Sequence, residues 1–293
     1  MTFLDRSSIM VSMNKLTKDE RVRVIAALVE GNSIRATVRM TGIAKNTVAK
    51  LLADIGRACD DYHNKIMVDL PCKRLQVDEI WSFCYSKQKN VPEKHQGEFG
   101  YGDVWTWVAI DADTKLVPSW LVGLRDAEWA NAFMLDVAAR LKYRIQLTSD
   151  GLKAYLNAVE EAFGGEIDYA TLVKLYGSEK RETQEPITSH KYSPGHVTGC
   201  QLAVIQGNPD TRHISTSYVE RQNLTMRMQM RRFTRLTNGF SKKVENLGYA
   251  VALHFMHYNF CRIHQTLRIT PAMAAGVSDH VWELEELVDL IDQ

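Results

Sequence analysis

The sequence predicts an α/β fold, a mixed sheet flanked by helices and preceded by a trio of short helices. Three observations carry that reading. Short stretches of alternating apolar character fall between residues 75 and 123. Helix-patterned and strand-patterned stretches then alternate as far as Phe163, and a long basic stretch without Gly or Pro closes the series at Gly239.

Residues 14–60 form the first unit. Thr17 and Glu20 have the spacing of a capping box, and Val22, Ile25, Ala26 and Val29 follow at helical spacing. Gly31-Asn32 breaks that helix, Ser33 caps a second, Gly42 turns the chain, and Lys45 to Leu52 begins a third. Polar Lys45, Asn46, Thr47 and Lys50 open the third helix, which fits a helix-turn-helix reader of DNA; a plain three-helix bundle has the same pattern. Residues 1–65 carry eleven Lys or Arg against seven Asp or Glu, which favours the DNA reader. A linker is expected over residues 61–72.

A larger unit is expected over residues 73–260. Leu75, Val77, Trp81 and Phe83 mark a strand, with Asp78 on the face opposite Val77. A carboxylate in a buried strand is costly unless it is paired or binds a metal. Residues 104–111 and 116–123 read as two strands joined by an Asp-Ala-Asp-Thr-Lys turn, an antiparallel hairpin whose flanking acids Asp103 and Asp111 are expected to be solvated. Ala127 to Leu141 has the pattern of an amphipathic helix. Ile145 to Gly151 reads as a short strand ending in Asp150, and Leu152 to Phe163 as another helix. A loop-rich stretch comes next; within it, residues 178–198 read as a polar loop over the site, with His190, Lys191 and His196 as candidates for meeting DNA.

From Arg212 to Lys243 eight Lys or Arg stand against a single acid, Glu220, a balance that expects a polyanion. Read as one helix, this stretch puts Glu220, Arg227 and Arg231 on one face at i, i+7 and i+11. The net charge of +1 hides that balance, because the last eighteen residues hold six acids and no Lys or Arg. This acidic tail, 261–293, is expected to be partly helical. With 45% hydrophobic and 24% charged residues the chain is an ordinary globular protein with room for two or three units. No apolar run approaches a membrane span. Five cysteines without a CxxC pair argue for reduced thiols in the cytoplasm.

Asp78, Asp150 and Glu220 thus sit on elements that can neighbour one another in a mixed sheet. Converging carboxylates suit phosphoryl transfer by two magnesium ions roughly 3.5–4 Å apart, and ligation poor in histidine selects magnesium or manganese over zinc. Three stretches carry these acids: Val77-Asp78-Glu79-Ile80-Trp81, Thr148-Ser149-Asp150-Gly151 and Tyr218-Val219-Glu220-Arg221-Gln222-Asn223-Leu224. With the basic stretch and Phe240 to Glu245 behind them, they resemble the DDE transposases of bacterial insertion sequences, the insertion sequence one family in particular, over roughly residues 73–260. The resemblance implies a ribonuclease-H-like core that nicks and joins DNA, with Asp78, Asp150 and Glu220 as catalytic residues and ligands of two Mg2+ ions, Mn2+ substituting. It implies double-stranded transposon ends and target DNA as partners, a homodimer or higher oligomer on DNA, and a nucleoid-associated place in the bacterial cytoplasm. Arg221 and Asn223 beside Glu220, and Arg227, Arg231 and Arg232 of the basic stretch, are the expected DNA contacts on and after the last helix. The chain lacks the cysteine zinc motif of that family's prototype, so the helix-turn-helix alone is expected to find the ends.

Glu79 is expected on the other face of the strand as a structural residue. His254, His257, Cys261 and His264 have helical spacing but read as part of an amphipathic helix and its tail rather than as a zinc site. Two other functions fit less of the pattern: a DNA-binding regulator derived from such an enzyme, and a ribonuclease-H-type nuclease that cleaves without joining.

Overall fold

The computed structural model describes residues 15–177, 196–234 and 237–293. Most of the expected polar loop, residues 178–195 with His190 and Lys191, lies outside the described residues.

The three N-terminal helices start where the capping residues require. Thr17 and Glu20 close the capping box of α1 (Lys18–Val29). The Ser33 hydroxyl accepts the Ala36 N–H at 3.1 Å at the start of α2 (Ile34–Thr41). Gly42 ends α2 at φ 74°, a left-handed turn that a residue without Cβ takes up freely. The third helix, α3 (Lys45–Ile66), corrects one expectation: it continues through the first six residues of the expected linker. Its buried stripe of Ile55, Cys59 and His63 carries on past residue 60 and packs on α7 (Val244–Met256), so the helix has a reason to persist. At Gly56 a Cβ would stand 2.4 Å from the Tyr249 Cβ, so the two helices meet almost backbone to backbone.

Six strands form one mixed sheet in the order β3-β2-β1-β4-β5-β6. They are β1 (Arg74–Cys84), β2 (Gly102–Asp111), β3 (Ser119–Gly123), β4 (Ile145–Ser149), β5 (Ile167–Gly177) and β6 (His196–Gln206). The β1-β2-β3 meander is antiparallel, β4 runs parallel to β1 and β5 parallel to β4, and β6 returns antiparallel to β5. This is the helix-flanked mixed sheet that the sequence predicts. Two of its strands, β5 and β6, fall where the sequence reads as loop-rich. They form the sheet's outer hairpin, where Leu175, Tyr176, Leu202, Val204 and Ile205 remain exposed, so the inside-outside alternation that marks a strand is blurred.

On one face of the sheet α4 (Ala127–Ala139) and α5 (Ala154–Phe163) cover the buried Trp107, which meets Phe133 at 5.9 Å and Tyr155 at 5.5 Å. On the other face α6 (Ser217–Gln229) lies over β1, and α7 stacks Phe255 on Trp120 at 5.0 Å. Asp111, expected to be solvated, is 1% exposed; it accepts the N–H and hydroxyl of Thr114 at 2.9 and 2.7 Å, and burial raises its pKa.

The acidic tail forms α8 (Pro271–Ala274) and α9 (Leu284–Asp289) and docks on α1, pairing Asp289 with Lys18 and Asp292 with Arg21. A single apolar cluster extends from Val24 through the sheet to Leu290. Among the described residues no helix is long and apolar enough to cross a membrane.

Candidate active site

The β1–β4 ladder positions the two aspartates. It pairs Arg74 with Gln146, Leu75 with Leu147 and Gln76 with Thr148, and ends there. Continued by two residues, this register sets Asp78 level with Asp150, just where the strands part and the backbone no longer closes the gap. β4 ends at Ser149, so Asp150 sits at a strand tip. Its Oδ1 accepts the Leu152 N–H at 2.8 Å and its carbonyl accepts the Ser149 hydroxyl at 2.9 Å, which fixes the turn.

Both oxygens of Asp78 are engaged, Oδ1 by the Glu79 N–H and Oδ2 by the Asn223 side-chain amide, each at 2.9 Å. Gln76, two residues back on the same face, accepts the N–H groups of Tyr218 and Val219 at 2.8 and 3.2 Å. A buried glutamine thereby holds the start of α6 over β1, using backbone donors that a helix N-terminus leaves unsatisfied.

Ligand atoms of Asp78, Glu79 and Asp150 lie within 4.8 Å of one another. As expected, β1 points Glu79 to the opposite face, where it pairs with Arg125, yet one of its carboxylate oxygens comes within reach of the same gap. Its side chain is almost fully buried, with Oε2 bound to Arg125 Nε at 3.0 Å and the buried Tyr155 hydroxyl beside the carboxylate. Burial, and then the neighbouring Glu79 carboxylate, push the Asp78 pKa up to about 7. Burial also raises that of Glu79. Asp78 and Glu79, held this close to each other and to the half-exposed Asp150, call for a cation. Arg125 supplies part of one: its guanidinium stacks 4.9 Å over the Trp105 ring and lies 3.8 Å from Asp150.

The third expected ligand, Glu220, is not part of this cluster. It occupies the first turn of α6, where Lys174 on β5 donates to both of its oxygens and the Thr216 hydroxyl donates to Oε1 at 2.7 Å. Asn223, one turn further on, is the residue of α6 that touches Asp78. Its own Oδ1 is buried without a partner. The donor set facing the gap is therefore all oxygen, with the unpartnered Oδ1 of Asn223 beside it. That chemistry fits a hard divalent cation such as magnesium or manganese.

The basic face also differs from the single helix the sequence suggests. α6 ends at Gln229 and Arg231–Phe233 form a separate 3-10 turn, so Arg227 shares the helix with Glu220 while Arg231 and Arg232 do not. At the other end of the chain, Lys45, Asn46 and Lys50 are exposed at the start of α3 and Thr47 is half-buried; Lys50 pairs with Asp54 at 3.0 Å. His254, set aside as a zinc ligand, is buried in α7. Sequence reading missed Arg125 and Lys174. Arg125 lies in a short connection before α4 with no motif around it, and Lys174 lies on the unrecognised β5.

Fold and site together describe an α/β chain whose mixed sheet parts over a cluster of carboxylates. No family model matches this chain, and no curated protein does. Among solved structures it is similar to the piggyBac transposase synaptic complex with hairpin DNA, at 11% identity and a TM-score of 0.44, over 98% of this chain and 73% of that one. Two further likenesses are to a pre-cleavage Mos1 transpososome and to the Mos1 mariner paired end complex with Mn. Each has 10% identity and covers 53% of this chain and 60% of that one, with TM-scores of 0.23 and 0.22.

Proposed function

We propose that this chain is a metal-dependent DNA transposase that binds double-stranded transposon ends, cleaves a strand and joins it to target DNA. The observation that carries the reading is the level placement of Asp78 and Asp150 where β1 and β4 part, with Glu79 beside them. Asp78 and Asp150 would hold the metal, Mg2+ or Mn2+, and Glu220 would complete the set on exchanging Lys174 for the ion. Bound there, divalent ions supply charge stabilisation to the attacking and leaving oxygens of a phosphodiester.

The chain's own residues do the positioning. Asn223 fixes the rotamer of Asp78, and Arg125 anchors Glu79 and steadies Asp150. Arg221 and Arg227 on α6, with Arg231 and Arg232 beyond it, offer cations to phosphates near the cut. Lys45, Asn46, Thr47 and Lys50 at the start of α3 would enter a major groove as the recognition residues of a helix-turn-helix. The working unit in this reading is a homodimer or higher oligomer on DNA, in the bacterial nucleoid.

The test uses a plasmid carrying the DNA that flanks the coding sequence, incubated with the protein and Mg2+ or Mn2+. Products in which a cut end is joined to new DNA are expected. Cleavage without any joined product points to a nuclease, and no cleavage under any metal contradicts the reading.

A further inference from the structure

A second concavity lies on the side of α6 turned away from the carboxylates. Tyr218, Gln222 and Thr225, at i, i+4 and i+7, line it from one face of the helix. Asn223, which touches Asp78, and Glu220 lie half a turn round on the other face. The cavity has a volume of about 520 Å³ and is bounded by the hairpin turn after β2 and by the chain that follows α7. Lys115 on that turn, Arg221 between the two faces of α6, and Arg262 and His264 beyond α7 all line it, and no Asp or Glu does.

The turn holds Lys115 at φ 62°, a conformation that glycine takes without strain, so a lysine there bears a cost that its side chain has to offset. Lys115 is 8% exposed, and its ammonium meets neutral groups: the Ala112 carbonyl accepts from it and the Tyr218 ring centroid lies 3.5 Å away. Among the described residues no carboxylate pairs with Lys115, Arg221 or Arg262. His264 feels the same field, since burial and then the charges of Lys115 and Arg262 push its pKa down. Cations gathered in a cavity without a counter-charge are costly to hold, and an anion set between them offsets that cost.

The number of cations asks for a ligand that brings several negative charges in a short span. An arginine fork and a lysine point charge both suit phosphate oxygens. The volume falls within the roughly 300–1,000 Å³ of small-molecule sites. A DNA strand laid on the carboxylates follows the opposite face of α6, which leaves this cavity to a separate ligand.

We infer that the cavity binds the phosphate chain of a small molecule, a free oligophosphate or a nucleoside polyphosphate, between Lys115, Arg262 and His264. The inference goes beyond the proposed action on DNA and does not depend on it.

The experiment is calorimetric titration of the full chain with tripolyphosphate, a nucleoside triphosphate, the parent nucleoside and citrate, in EDTA so that no metal bridges a ligand to the carboxylates. Tripolyphosphate and the nucleoside triphosphate are expected to bind at a single site, and the nucleoside not at all. Equal affinity for the two phosphates makes the free oligophosphate sufficient; a tighter nucleoside triphosphate means that the nucleoside adds contacts of its own. Arg262→Gln should weaken tripolyphosphate by at least about tenfold, since a hydrogen bond between charged groups is worth roughly ten- to a hundredfold. Arg268→Gln removes an exposed cation a few residues away that does not line the cavity, and should leave affinity within about twofold. In the wild type, tripolyphosphate should shift the NMR titration of the His264 ring to higher pH, because an anion beside Lys115 and Arg262 cancels their repulsion. No binding, citrate or the nucleoside binding as tightly as tripolyphosphate, equal losses in the two arginine variants, or an unmoved His264 titration would overturn the inference. Duplex DNA that displaces tripolyphosphate and is weakened by Arg262→Gln to the same degree would make the cavity a DNA surface and overturn it as well.

Discussion

Three acidic side chains, Asp78, Glu79 and Asp150, set the character of the site because they lie together and two of them, Asp78 and Glu79, are where water screens them poorly. Replacing one by an isostere should relieve their repulsion. Mn2+ is expected to raise the Tm of the wild type; Asp78→Asn is expected to melt above the wild type in metal-free buffer at neutral pH and to show no such rise. That rise corresponds to about 2.7 kcal/mol at a metal concentration one hundred times Kd. A lower Tm with an undiminished response to Mn2+ would mean that the aspartate is structural. Two buried histidines govern acid stability in a different way. Burial, then the charge of Arg140, pushes the His63 pKa down to about 3, with Nε2 on the Pro118 carbonyl at 2.9 Å; burial, then His257, does the same to His254. An unfolded chain has these groups near 6.5, so between about pH 6.5 and 3 it binds more protons than the folded one, and stability falls as pH falls. Each histidine contributes a slope of about 1.4 kcal/mol per pH unit in that window. His63→Gln should remove one such slope from denaturant melts taken between pH 6 and 4.5. A slope identical to the wild type would place the His63 pKa near its ordinary value.

Among the elements, the junctions carry the most information. The α3–α7 contact depends on Gly56, where a Cβ would collide with Tyr249 main-chain and Cβ atoms at 2.4–2.6 Å. Alanine gains up to about 1 kcal/mol of helix propensity over glycine, but prising two packed helices apart costs about 1–3 kcal/mol. Gly56→Ala should therefore lower stability by up to about 2 kcal/mol in denaturant titration, and a stabilised protein would show that the two helices have room to spare. Nothing in the sequence announces this contact, because a lone glycine in a helical pattern gives no sign of what approaches it. Local signals served better: the capping residues Thr17 and Ser33 start α1 and α2, and alternation marks β1 and β2. They failed for β5 and β6, where one hairpin is only partly covered and the pattern reads as polar loop. That miss had a consequence at the site, since β5 brings Lys174 to Glu220. Asp78 and Asp150 were legible as acids in or at the end of strands, a placement that costs free energy without a partner. The face of Glu79 was legible too, but its reach toward the gap was not, because strand parity gives a side chain's starting direction and says nothing about where a long carboxylate ends up. The extent of α6 was overread: good helix formers run on past Gln229, but the chain turns to bury Met230 and Phe233.

At the scale of the whole molecule, a near-neutral chain separates its charge. Basic groups concentrate after Glu220, while the acidic tail is turned back onto α1, where Lys18 and Arg21 pair with it. The apolar cluster is continuous from the N-terminal helices to that tail, so a change in α3 reaches the sheet through α7. The central claim is that the carboxylates at the parting of β1 and β4 perform metal-dependent chemistry on DNA, while the helices and basic groups around them hold it. Removing one carboxylate should therefore abolish cutting and leave binding in place. The direct measurement is the rate of strand cleavage by Asp150→Ala and by wild type on the same flanking DNA in Mg2+ or Mn2+, with affinity for that DNA measured in parallel. The account predicts affinity within about twofold of the wild type and cleavage reduced by at least about a thousandfold; cleavage by Asp150→Ala at a rate near that of the wild type would contradict it.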